Sequence, residues 1–214
     1  MFDNTEIAQQ VAEFLLQIKA IKLQPNNPFT WASGWKSPIY CDNRVTLSHP
    51  TIRTYIRQQL THLIQEEFGS VGCIAGVATA GIPQGALVAQ ELGLPFIYVR
   101  AKAKEHGTGS LIEGDLSLSG SRVVVIEDLI STGKSSLQAV AALRDAGYDV
   151  AGLAAIFNYG FDVAAENFKQ ANCPFFTLSN YSALIKYAVQ NQYIAESDEE
   201  ILKKWREAPA EWGR

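Results

Sequence analysis

Cysteine is scarce in this chain, and its three copies, Cys41, Cys73 and Cys173, are odd in number and far apart. That spacing excludes a disulfide framework and a Cys-x-x-Cys zinc site. Histidine is equally rare, and His49, His62 and His106 form no His-Glu-x-x-His pattern. Basic charge is in deficit: 18 Lys+Arg stand against 22 Asp+Glu, for a formal net charge of -4 and a pI near 5.4. General binding of nucleic acid needs a basic face, so no nucleic-acid partner is expected. No apolar run approaches the roughly 18 residues that cross a bilayer, so no membrane is expected either. The opening stretch, MFDNTEIAQQVAEF, is acidic and amphipathic, unlike a charged-then-apolar secretory signal. These absences leave a cytoplasmic globular protein as the expectation. With 214 residues, 47% hydrophobic and 19% charged, there is enough apolar matter for one ordinary core.

Along the chain, Ile7, Val11, Phe14, Leu15 and Ile18 recur at helical spacing, with Thr5 or Asn4 as candidate caps. A loop-rich stretch follows, broken by Pro25, Pro28, Gly34 and Pro38, with short aromatic strands expected at 29–31 and 39–41. A helix is expected over 50–68, with proline in its first turn and Gly69 at its end. From there apolar runs of strand length at 73–78, 96–99, 123–126, 150–157 and 175–178 alternate with helical segments at 84–92, 135–146 and 163–170. Closing helices are expected at 182–190 and 198–207. Continuous apolar strands between helices predict an α/β fold, a mostly parallel sheet covered on both faces. In such a sheet, ligands sit beyond the carboxyl ends of the strands, where strand order reverses.

The stretch RVVVIEDLISTGKSSLQAV, 122–140, carries the strongest chemistry. Four β-branched residues lead into Glu127 and Asp128, and Ser131, Thr132, Gly133, Lys134 and Ser135 form a small-residue entry to a helix. Small residues there let backbone N–H groups and hydroxyls reach a phosphate, and the helix dipole favours the anion. Adjacent carboxylates suit a hydroxyl-rich or cationic partner, such as a ribose ring or hydrated Mg²⁺. Together they point to a phosphorylated sugar. The plainer alternative is a helix capped by Ser131 or Thr132 with the acids solvated. A Walker A loop is excluded, because it needs glycine five positions before Gly133, where Asp128 stands.

The run after 96–99, YVRAKAKEHGTGSLIEG, places Arg100, Lys102, Lys104 and His106 at alternating positions before Gly107, Gly109 and Gly114. In an extended chain these four side chains share one side, as a lid over a polyanion requires. Taken without the acidic motif, it reads as a solvated basic loop.

The run 123–135 resembles the 5-phosphoribosyl 1-diphosphate (PRPP) motif of type I phosphoribosyltransferases. The basic run resembles the mobile catalytic loop of the orotate phosphoribosyltransferases, matched by Arg100, Lys104 and His106, with Ala101 where a second lysine often stands and Lys102 one position on. The segment 29–44, FTWASGWKSPIYCDNR, resembles the hood over the base in that family, through Ser33, Gly34, Ser37, Pro38, Ile39 and Tyr40. The segment 76–83, GVATAGIP, is similar to the pyrophosphate loop, although Ala80 and Ala32 replace lysines found in some members.

The resemblance implies a type I phosphoribosyltransferase fold: an N-terminal helix and hood over about 1–48, an α/β core over 49–180 and closing helices over 181–214. It implies transfer of the phosphoribosyl group from PRPP to orotate, giving orotidine 5′-monophosphate and pyrophosphate. Because the base is already an anion, no strong general base is required. PRPP would be bound by Arg100, Lys104, His106, Glu127, Asp128, Leu129, Ile130, Ser131, Thr132, Gly133, Lys134 and Ser135. Lys104 and Asp128 would be catalytic, and Ser131 would also reach orotate. Mg²⁺ would arrive on PRPP, with Asp128 its candidate protein contact. The family's loop closes over the partner subunit's site, implying a homodimer with shared active sites. An arginine that some members use for the orotate carboxylate is replaced by Tyr159. Two rival readings are a purine phosphoribosyltransferase and a PRPP-binding regulator without turnover. The first lacks the hood pattern. The second would usually append a DNA-binding domain, for which 1–28 are too short and too acidic.

Overall fold

The computed structural model describes residues 5–31, 33–101 and 111–212. Helix α1 (Thr5–Gln17) leads into a hood of four short strands, β1 (Ile21–Leu23), β2 (Phe29–Thr30), β3 (Lys36–Ser37) and β4 (Ile39–Cys41). β1 pairs antiparallel with β4, and β2 with β3, so the proline-broken stretch forms two small ribbons. Helix α2 (Pro50–Glu67) begins on its proline and stops before Gly69, whose φ of 63° suits glycine.

The core then alternates through β5 (Cys73–Val77), α3 (Gly81–Leu92), β6 (Phe96–Val99), β7 (Ile112–Glu113), β8 (Arg122–Ile130), α4 (Lys134–Asp145), β9 (Asp149–Asn158), α5 (Asp162–Gln170) and β10 (Phe175–Asn180). Helices α6 (Tyr181–Gln190) and α7 (Glu199–Glu207) close it. Strand order in the six-stranded sheet is β10-β9-β8-β5-β6-β7. Every pairing is parallel except the edge pair β6–β7. The α/β sheet expected from the apolar runs is present, with β7 as an antiparallel edge that periodicity over two residues does not reveal.

Alternate residues of the central strands serve two cores. Val124, Ile126, Ala154 and Ile156 face α1, α2, α3 and α6, whereas Val123, Val125, Leu153 and Ala155 face α4 and α5. Continuous apolar runs are what a strand buried on both faces requires. From β5 the chain crosses through α3 to β6; from β8 it crosses through α4 to β9 on the opposite side. Strand order therefore reverses between β5 and β8, and their carboxyl ends frame a crevice.

Trp205 of α7 locks hood to sheet. It is fully buried, meets Trp31, Tyr159 and Phe161 edge-on at centroid distances of 5.6, 5.7 and 5.4 Å, and donates its indole N–H to the Lys36 carbonyl at 3.2 Å. Truncating a buried tryptophan removes burial and leaves a cavity, costing about 3–5 kcal/mol. Trp205→Ala is therefore expected to lower the urea midpoint by that scale, and Trp205→Phe by less. An unchanged midpoint would show that α7 unfolds independently of the core.

Candidate active site

The acidic pair lies inside β8, not in the loop after it. The expected strand ended at 126, but pairing with β9 continues through Glu127↔Ala155, Leu129↔Phe157 and Ile130↔Asn158. The cause is tertiary: the neighbouring strand offers backbone partners that override the local polarity of two acids. Leu129 and Ile130, expected with the phosphate loop, thus belong to the strand. The Ile130 side chain is in the core, and its carbonyl accepts the Tyr159 N–H at 3.1 Å. The loop proper is Ser131–Thr132–Gly133.

Gly133 stands at the start of α4 with φ 78°, and no side chain caps the helix. The capping role open to Ser131 or Thr132 is not used, so first-turn N–H groups of α4 remain for a ligand. A side chain at Gly133 would also strike Phe168, its Cβ coming within 2.7 Å of the ring. Two residues hold the loop in place: Asn167 of α5 donates to the Thr132 carbonyl at 3.0 Å, and Phe168 lies beneath Gly133. Lys134 and Ser135 are exposed at the mouth.

Glu127 is buried, 5% exposed, and Asp128 is half-buried. Ser136 donates to Glu127 Oε2 at 3.3 Å and the Asp128 N–H to Glu127 Oε1 at 3.1 Å. Burial first, and then the Asp128 charge, push Glu127 well above the ordinary carboxylate range; burial likewise raises Asp128. The Asp128 carbonyl accepts from Asn43 Nδ2 at 2.7 Å, and Asn43 in turn accepts from Cys41 Sγ at 3.3 Å. This chain ties hood to acidic strand across 85 positions of sequence, a link no local pattern announces.

Across the crevice, β5 ends in the loop 78–80, which carries a cis peptide between Ala78 and Thr79. Gly81 opens α3 against the Ile126 carbonyl with no room for a Cβ, which brings this loop beside the acidic strand. Arg100, at the end of β6, pairs with Glu113 at 3.4 Å. Lys102, Lys104 and His106 lie outside the described residues.

Beside Ser131 opens a cavity of about 270 Å³ lined by Thr30, Trp31, Tyr40, Cys41, Leu129, Ser131 and Tyr159. Its aromatic walls and its border on the small-residue loop suit a flat ring next to a phosphorylated sugar. For a metal, the donors are two carboxylates; among the described residues no group of three or more His, Cys, Asp or Glu gathers. That set fits a hard cation that keeps waters and ligand phosphate oxygens, as Mg²⁺ does, rather than an all-protein cage. Among the described residues, no helix is long and apolar enough to cross a membrane.

Residues 48–192 match the phosphoribosyl transferase domain family. The chain is 59% identical over 201 residues to a protein of Bacteroides thetaiotaomicron named orotate phosphoribosyltransferase, with 94% of each covered. It is 54% identical over 208 residues to the protein of that name from Listeria innocua, covering 97% of this chain and 99% of the relative. The crystal structure of orotate phosphoribosyltransferase from Aeropyrum pernix superposes with a TM-score of 0.74 at 27% identity, over 86% of this chain and 99% of the other.

The buried pair makes a prediction for the ligand-free, metal-free protein. A raised carboxyl pKa means the fold binds that proton more tightly than the unfolded chain. The resulting stability is full below the ordinary value of about 4.3 and is lost as pH rises through the folded value. Glu127→Gln cannot lose a proton there. It should melt above the parent at neutral and mildly alkaline pH, with the gap shrinking as pH falls. A gap independent of pH in thermal unfolding would contradict this.

Proposed function

The chain belongs to the orotate phosphoribosyltransferases, and we propose that the crevice between β5 and β8 is where it transfers the phosphoribosyl group of PRPP to orotate. One observation carries this reading: Ser131 belongs both to the uncapped small-residue loop after the acidic strand and to the wall of the aromatic cavity. A sugar phosphate seated on that loop has its ring beside Glu127 and Asp128 and its anomeric carbon toward the cavity.

In the proposed reaction, a ring nitrogen of anionic orotate forms a bond to the anomeric carbon. The carbon–oxygen bond to pyrophosphate breaks, and its electron pair leaves with pyrophosphate. Positive charge develops on the ribosyl group as the leaving group departs, as in other reactions at an anomeric carbon. The first-turn N–H groups of α4 and the hydroxyls of Ser131, Thr132 and Ser135 would take the 5′-phosphate. Glu127 and Asp128 would hold the ribose hydroxyls, and in their ionised form their negative charge would stabilise the positive charge developing on the ribosyl group. The Mg²⁺ carried by PRPP would neutralise diphosphate charge when bound. Trp31, Tyr40 and Tyr159 would fix the plane of the base, and Ser131 would contact it. Arg100, Lys104 and His106 would neutralise the leaving pyrophosphate, with the loop supplied to the partner subunit of a cytoplasmic homodimer.

Loss of orotate ultraviolet absorbance on mixing protein, orotate, PRPP and MgCl₂ tests the reaction. Decay that needs every component is expected; turnover of a purine base instead, or silence with every base, would overturn it. Lys104→Ala should cut kcat by roughly 10²-fold, the scale of removing a donor aimed at developing charge. Near-normal turnover in that variant would remove Lys104 from the chemistry.

A further inference from the structure

Orotate carries a carboxylate beside its reacting nitrogen, and among the described residues the cavity proposed for it has no charged lining residue. Its walls are the neutral side chains of Thr30, Trp31, Tyr40, Cys41, Leu129, Ser131 and Tyr159. Tyr159, where some relatives place an arginine, is no substitute for one. It is buried, stacks on Phe161 at 5.4 Å and meets Trp205 edge-on, and burial pushes its phenol well above the usual range, so it stays neutral. A desolvated carboxylate facing such walls would be costly without a paired cation.

Three cations come near the cavity among the described residues. Arg44 is held by Asp42, its Nε and Nη2 donating to the two carboxylate oxygens at 2.6 and 2.9 Å. Arg206 approaches Gly160 but lines a separate cavity with Trp35 and Phe161. Lys36 differs from both. It stands directly opposite Thr30 in the β2–β3 ribbon, so the two side chains share a face. Its Nζ donates to Thr30 Oγ1 at 2.8 Å, at the cavity wall. Its backbone is fixed from the other side, where Trp205 donates to its carbonyl at 3.2 Å. An ammonium has three donors, and the Thr30 bond uses one. The head is solvent-exposed in this structure, so it can turn to an arriving anion without losing a strong existing ion pair.

We infer that Lys36, steered by Thr30, is the residue that reads the carboxylate of the base. This rests on the reading of the cavity as the orotate site. Lys36 acts as a specificity determinant: it sets affinity for the anionic base and leaves the sugar-phosphate site untouched. In this reading the cation comes from the hood, through the ribbon residue that pairs with Thr30, and not from the strand position held by Tyr159.

Steady-state kinetics of Lys36→Met, with orotate and PRPP varied separately, test this. The KM for orotate should rise about 10- to 100-fold, the scale of a lost charge-assisted hydrogen bond. The KM for PRPP should be unchanged, Lys36→Arg should restore most of the loss, and Thr30→Val should show a smaller rise. In equilibrium displacement, the preference of the parent for orotate over uracil, which lacks the carboxylate, should narrow in Lys36→Met. An unchanged orotate KM, or a rise in the PRPP KM instead, would overturn the assignment. A parent protein that does not consume orotate would defeat the functional reading itself; an active parent with an unaffected Lys36→Met would defeat this inference alone. Lys36 is exposed, so the variant is expected to melt with the parent.

Discussion

Two adjacent carboxylates buried at the carboxyl end of a central strand are the constraint on which the rest of the structure depends. Desolvation makes their ionised forms expensive, and nothing nearby among the described residues gives Glu127 a cationic partner; a serine hydroxyl and a backbone N–H are what it receives. A fold selected for stability alone would replace such a pair with apolar residues. Here the surroundings are arranged to keep it. β8 is paired on both sides, Gly81 brings α3 against its backbone, and Asn43 holds the Asp128 carbonyl. The cost is tolerable if a ligand supplies hydroxyls and a cation when it binds.

The same strand end organises the proposed site. One residue beyond β8 the chain turns through Ser131, Thr132 and Gly133 into a helix start that no side chain caps. Long-range links moor the hood, among them Asn43 to the acidic strand and Trp205 to the Lys36 carbonyl. The proposed sugar-phosphate site and the aromatic cavity are therefore parts of one corner. Positioning of two substrates at a shared wall is where such a corner contributes to rate, because it removes the freedom of bringing them together.

Much of this was legible in the residues. Alternating apolar runs gave the sheet, and the run of β-branched residues before Glu127 and Asp128 located the acidic strand. Local signals failed where tertiary pairing decides. Polar Glu127 and Asp128 looked like a strand's end, yet β9 carries β8 on to Ile130. Capping by Ser131 or Thr132 was the plainer alternative to a ligand loop, yet Gly133 takes the cap position with positive φ, against Phe168, which leaves no room for a side chain. Asn43 and Asn167, which hold the strand end and the loop, carried no signal. Their partners are 85 and 35 residues away, and a polar side chain in a turn or on a helix carries no mark of a distant partner until the fold closes.

Burial raises both carboxyls above their ordinary range, and in the proposed site ligand binding draws on the pair by favouring its ionised forms. Calorimetric titration of PRPP with MgCl₂ near neutral pH, repeated in buffers of different ionisation heat, counts the protons exchanged on binding. The parent protein should release more protons per PRPP bound than Glu127→Gln, with the difference growing as pH is lowered toward the ordinary carboxylate range. Equal proton counts for parent and variant across that range would show that the pair does not titrate with ligand and would contradict the account.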